Sequence, residues 1–286
     1  MSRWWIYLRE RSPLPIYLFL CAGISASGVL VAGGGFAARP FVVSCLGQIL
    51  FFVLLRLTDE VKDYHKDVVA HPERPFPRGL IGRPEAERMI GALFLAMLGY
   101  GLFTGLLTNG PGGWLFVGLT CYLYLMHREF FVPDWLNERP IWYAITHQAV
   151  FVPFSVLPAV TARAGMLEEP RAWLFGGCVL GAFFSYEVCR KLDPSAEPVL
   201  KTYLIVHGKV ITFCLVLAAS CLAAYSAWSL GYGLLLWPLE GLLLASLAII
   251  FCCPARYKIV ETLAVLSFAA HVWSAVLFQL FGAIHG

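Results

Sequence analysis

Nine runs of about twenty mostly apolar residues, joined by short links, leave this 286-residue chain little choice of fold. A helix needs roughly 20 such residues to cross the hydrocarbon layer of a bilayer. The runs cover 14–34, 40–58, 88–108, 112–131, 140–162, 172–190, 205–228, 231–253 and 259–284, with links often marked by Gly or Pro, as at Gly110-Pro111-Gly112-Gly113. Only 14% of the chain is charged, against about 25% in soluble domains. The expected class is therefore all-α, a polytopic membrane protein with nine transmembrane helices in the lipid bilayer. No link is long or polar enough to separate domains, so residues 1–286 read as one. The start, MSRWWIYLRERSPLP, reads as an interfacial lead-in and not as a cleaved signal peptide. A net charge of +3 is too small to point to nucleic acid.

Basic residues divide unevenly between the two sides of such a bundle. One side would hold Arg3, Arg9 and Arg11, the stretch Arg56–Arg88, Arg128, Arg139, Arg190, Lys191, Lys201, Lys209, Arg256 and Lys258. The other would hold only Arg39, Arg163 and Arg171. By the positive-inside rule the N-terminus is cytoplasmic, and so are the loops after the second and sixth runs.

The first of those loops reads RLTDEVKDYHKDVVAHPERPFPRG, from Arg56 to Gly79. Asp59, Asp63 and Asp67 recur every four residues, a helical step of about 400° and roughly 6 Å, so the pattern predicts three carboxylates stacked on one helix face. Carboxylates in small numbers, with substrate phosphate completing the shell, suit Mg²⁺. Arg74 and Arg78 follow in a Pro-rich turn and suit phosphate oxygens. The plainer alternative is a solvated charged face neutralised by Lys62 and Lys66. Acids emerging from an apolar span in a charge-poor chain favour a site.

The second loop, SYEVCRKLDPSAEPVLKTY, carries Glu187, Asp193 and Glu197 beside Arg190, Lys191 and Lys201. Pro194 and Pro198 argue against one helix through both later acids. Read alone, it is a charged anchor at the headgroups; read with the first loop on the same side, it is a second metal-and-phosphate cluster. Arg128, in a third link, can cap a diphosphate or anchor a span. His147 and His207 read as hydrogen-bonded core residues. The nine cysteines show no CxxC or zinc spacing and read as reduced packing residues.

With these residues assembled, the chain resembles the UbiA superfamily of intramembrane prenyltransferases. That family's first motif, Asn-x-x-x-Asp-x-x-x-Asp, falls on Asp59, Asp63 and Asp67, with Asp in the first place. Its Arg-Pro-x-Pro-Ser/Arg-Gly signature is matched by Arg74-Pro75-Phe76-Pro77-Arg78-Gly79. Its second motif is met loosely by Glu187, Asp193 and Glu197, and its Lys-Arg pair after the fourth span appears as His127-Arg128.

The resemblance implies a UbiA-like bundle with a cytoplasm-facing active site. Mg²⁺ would be held by Asp59, Asp63, Asp67, Glu187, Asp193 and Glu197. An isoprenyl diphosphate would be bound by Arg56, Arg74, Arg78, Arg128, Lys191 and Lys201, and its prenyl group passed to an aromatic or lipid-like acceptor with release of pyrophosphate. A terpene cyclase of the same fold would use the diphosphate alone. A third reading, a transporter or lipid-binding protein without catalysis, sits poorly with acids at span ends instead of the midplane. The implied location is a bacterial inner membrane, crossed many times.

Overall fold

The computed structural model describes residues 2–108 and 110–285. The helices are α1 (Arg3–Arg11), α2 (Leu14–Val31), α3 (Ala38–Lys62), α4 (Tyr64–Ala70), α5 (Arg83–Thr108), α6 (Pro111–His127), α7 (Pro133–Asn137), α8 (Pro140–Gln148) and α9 (Phe151–Ala162). They continue as α10 (Pro170–Cys189), α11 (Tyr203–Ser229), α12 (Gly233–Ser246), α13 (Ala248–Cys252), α14 (Tyr257–Val272) and α15 (Ser274–His285), with short 3-10 turns between some of them. No strand occurs among the described residues. Proline marks the first turn of α2, α6, α7, α8 and α10, where its missing N–H costs nothing.

Among the described residues, seven helical segments are long and apolar enough to cross a membrane, and eight if the bent pair at the C-terminal end is one span. Two of the nine expected runs account for the difference. Run 112–131 becomes α6, of 17 residues, because Arg128 ends it. Its length is about 26 Å at 1.5 Å per residue. Run 259–284 is broken between α14 and α15 by a 70° bend. At that bend the Trp273 ring lies against Gly23 of α2, where a Cβ would come within 2.6 Å of the indole nitrogen.

The bundle is built around α10, which packs on α9, α11 and α14, while α2 packs on α3 and α9. A buried polar clasp joins three of these helices. Pro158 inside α9 has no N–H to give the carbonyl of Phe154, and Gln48 of α3 supplies one: its Nε2 donates to that oxygen at 3.0 Å. The Gln48 carbonyl in turn accepts from the Ser25 hydroxyl of α2 at 2.9 Å. Around the clasp, Phe51, Phe52, Phe151 and Phe154 interlock. Outward faces carry Leu95, Leu106, Val210 and Leu234, all exposed, as expected of surfaces that meet lipid tails.

Candidate active site

Helix α3 delivers the first acids and then loosens. Asp63 has φ −84° and ψ 2°, closing α3 and opening α4, although backbone hydrogen bonds still link residues 59, 63 and 67. The four-residue step between the three acids is kept, but their surroundings differ. Asp59 and Asp63 are 38% and 46% exposed, whereas Asp67 is buried. Each has a cation. Lys62 Nζ is 3.2 Å from Asp59, Lys66 Nζ is 3.4 Å from Asp63, and Arg74 Nη1 is 2.6 Å from Asp67. The two lysines thus do neutralise the acid helix, but at pairs exposed enough for a metal or phosphate to compete.

The loop after α4 is pinned from two sides. Arg74 fastens it to Asp67, and Phe76 is buried edge-on against Tyr7 of α1. Gly79 at φ +77° makes the turn that returns the chain to α5, a backbone conformation glycine adopts without strain. Arg78 donates to the Glu73 carbonyl at 3.0 Å and to Glu10 of α1 at 3.0 Å. Arg56, expected to bind substrate, is instead committed to buried Glu60, which also accepts from Arg11 Nε at 2.7 Å. Its task is to neutralise an acid inside the helix contact between α1 and α3.

The second loop meets the first. The 3-10 turn Pro198–Leu200 packs on α4, and Arg190 lies within electrostatic reach of Asp59. Beside Glu187 foremost, and Asp59 further off, the Arg190 guanidinium is held above its ordinary pKa. Glu187, buried, accepts from Arg190 Nε at 2.5 Å and Nη2 at 2.9 Å, and from Lys191 at 2.6 Å. Asp193 turns elsewhere. Its Oδ1 accepts from the Ser195 hydroxyl at 2.6 Å and amide at 2.8 Å, and its Oδ2 from Tyr257 of α14 at 2.9 Å. Those Ser195 bonds hold its carboxyl below the usual carboxylate range. Glu197 is exposed at the start of the 3-10 turn, and Lys201, also exposed, ends it in left-handed backbone with φ 45°. Among the described residues no three His, Cys, Asp or Glu side chains converge as a metal cage.

Several site residues had no clear sequence signal. Tyr143 and His147, one turn apart on α8, stack at 3.9 Å, and the Tyr143 hydroxyl lies 3.5 Å from Lys62 Nζ. His147 Nδ1 is 2.9 Å from the Tyr143 carbonyl, the hydrogen-bonded core role expected of it. Arg128 stacks over Phe131 at 5.7 Å, on a turn where Glu129, Phe130 and Phe131 all have positive φ. Three such non-glycine residues in a row are costly backbone, and such strain gathers at functional sites. A cleft of about 140 Å³, lined by Tyr64, Phe76, Gly79 and Arg83 among others, opens beside the first loop. The larger cavity, of about 250 Å³, lies near Val43 and Gly112, at the other end of α3. That is roughly 24 Å from Asp59 at 1.5 Å per residue, so it is not part of this site.

The fold and the charged cluster at its helix ends define an integral membrane protein, built of apolar helices, that gathers carboxylates and cations at one end of the bundle. The chain belongs to the UbiA prenyltransferase family, which matches residues 18–274. It shares its fold with a solved digeranylgeranylglyceryl phosphate synthase in membranes, at 16% identity and a TM-score of 0.63, over 96% of this chain and 99% of that one. No curated protein matches it in sequence.

Proposed function

We propose that this protein is an intramembrane prenyltransferase that ionises an isoprenyl diphosphate and passes the prenyl group to an aromatic or lipid-like acceptor, releasing pyrophosphate. The observation that carries the reading is the half-exposed pair Asp59 and Asp63 at the end of an apolar bundle, with the Arg74–Gly79 loop fastened to the next acid of the same helix end, Asp67. Diphosphate belongs with the charged groups and a prenyl tail with the apolar helices. Two carboxylates one turn apart fit Mg²⁺, which holds few protein ligands and takes the rest from phosphate and water. When bound there, the metal would neutralise charge on the leaving pyrophosphate.

The chain's own residues do the rest. Arg78 and the lysines present donors to the departing phosphate oxygens. Arg74 holds the loop against Asp67. The apolar interior shelters the allylic cation from water until the acceptor captures it. We place the site on the cytoplasmic side, consistent with the bias of basic residues, and read residues 1–286 as a single domain.

Purified protein in detergent, given geranyl, farnesyl and geranylgeranyl diphosphate in turn with Mg²⁺, tests the reading. Turnover that depends on a phenolic or quinone-precursor acceptor is expected. A cyclic hydrocarbon or terpene alcohol formed without acceptor would assign the protein to the terpene cyclases of this fold. No turnover with any substrate would return it to the transporter or lipid-binding class.

A further inference from the structure

The two acidic loops meet, and their carboxylates are engaged differently. Both oxygens of Asp193 are spent on Ser195 and Tyr257, which tie the second loop to α14. Glu197 is exposed and precedes a proline turn that leads away from Glu187. Glu187 itself is 8% exposed and sits under three short donor contacts from two cations. One carboxylate against two cations leaves that cluster with one positive charge. The first loop has no such surplus, since Asp59, Asp63 and Asp67 each face one cation.

We propose that the second half of the site is a diphosphate seat made of protein cations, Arg190 and Lys191 standing on Glu187, and not a second carboxylate cluster for metal. The inference rests on the prenyl-diphosphate reading above and assigns the second loop's part in it. Arg190 spends its Nε and Nη2 edge on Glu187, which fixes the guanidinium plane and leaves Nη1 for another acceptor. Its side chain is 42% exposed and that of Lys191 is 35% exposed, so both can be reached from outside the bundle. The Pro198–Leu200 turn packs on α4 and brings the second loop to the acid helix, so a phosphate bridging the two loops would meet carboxylates on one side and a guanidinium on the other. Arginine suits this task, because its charge is permanent and its fork matches phosphate oxygens. Lys191, over the Tyr203 ring at 5.5 Å, adds a point charge with donors to spare.

The test titrates Mn²⁺ by electron paramagnetic resonance on the purified full-length protein, with farnesyl thiodiphosphate as a slowly reacting probe, and measures binding of that probe against salt. One tightly held Mn²⁺ per chain is expected, unchanged in Asp193→Asn and Glu197→Gln. Arg190→Met should weaken probe binding roughly tenfold or more and flatten its salt dependence, with a smaller loss in Arg190→Lys and Lys191→Met. Two Mn²⁺ ions per chain, one of them lost in Asp193→Asn or Glu197→Gln, would overturn the inference. So would an unchanged probe affinity in Arg190→Met. Should Arg190→Met fail to fold, unchanged affinity in both Arg190→Lys and Lys191→Met would overturn it equally. If the unsubstituted protein does not bind the probe at all, the prenyl-diphosphate reading falls, and this inference with it.

Discussion

Replacing Asp67 with Asn separates two roles for the third acid, a metal ligand or a clamp on the arginine loop. Asp67 is 5% exposed and Arg74 25% exposed, with 2.6 Å between them. A hydrogen bond between charged groups contributes about 1.5–3 kcal/mol, and breaking a fully buried ion pair costs about 3–5 kcal/mol. Because Arg74 remains a quarter exposed and can turn to water, the lower range applies, about 1.5–3 kcal/mol. That corresponds to roughly a 10- to 150-fold shift toward the undocked loop. Limited trypsin digestion reads this directly, since Arg78–Gly79 is the cleavable bond in the loop and Arg74 precedes a proline. When opening is fast relative to cutting, the cleavage rate follows the open population. Asp67→Asn should therefore be cut at Arg78 tens of times faster, while its Mn²⁺ affinity stays near that of the unsubstituted protein. An intact loop together with lost Mn²⁺ binding would refute the clamp and make Asp67 a metal ligand.

Three further outcomes follow from named contacts. Gly113→Ala should lower the melting temperature in detergent by several degrees. Its Cβ would overlap the backbone of Gly105 and lie 2.6 Å from the Gly101 carbonyl, forcing α5 and α6 apart at a cost of about 1–3 kcal/mol; an unchanged melt would refute that close approach. Glu10→Gln should tighten diphosphate binding by up to about fivefold, because Arg78 no longer shares its charge with an exposed carboxylate worth at most about 1 kcal/mol. Unchanged binding would show that α1 does not compete. Asp193 has a lowered folded-state pKa, held down first by the Ser195 hydroxyl, so its contribution is complete above the ordinary carboxylate range and fades as pH falls through the folded value. Protection against hydrogen exchange in residues 190–202, measured against the intrinsic rate at each pH, should therefore fall in acid, and Asp193→Asn should remove that pH dependence.

Much of this arrangement was readable in the sequence, because apolar run length and the Arg74–Gly79 signature each have one strong physical meaning. The loop's arginines and the two outer acids of the helix end stand where their spacing put them. Spacing did not reveal the change in backbone at Asp63, since i, i+4 periodicity continues through a residue whose ψ has left the helix. Asp193-Pro194-Ser195 is the sequence of a turn in which the aspartate accepts from the residue two positions on, a local bond that its four-residue spacing to Glu197 does not announce. Glu187 with Arg190 and Lys191 has the i, i+3 and i, i+4 spacing of helical ion pairs, and those pairs form. The bend at Trp273 carries neither Gly nor Pro, and the Trp273 ring packs there on Gly23, a contact no local pattern encodes. Arg56 was drawn to phosphate by its neighbours, but Glu60, next to Asp59 and buried, holds it.

The most direct test of the central claim is pyrophosphate release by the purified protein, with Mg²⁺ and an isoprenyl diphosphate, compared with Asp63→Ala. Asp63 is more exposed than Asp59, and its loss removes one of the two half-exposed carboxylates proposed to hold the metal. Release should fall to background in the variant while its melting temperature stays close to that of the unsubstituted protein. Release that continues undiminished without Asp63 would contradict the account.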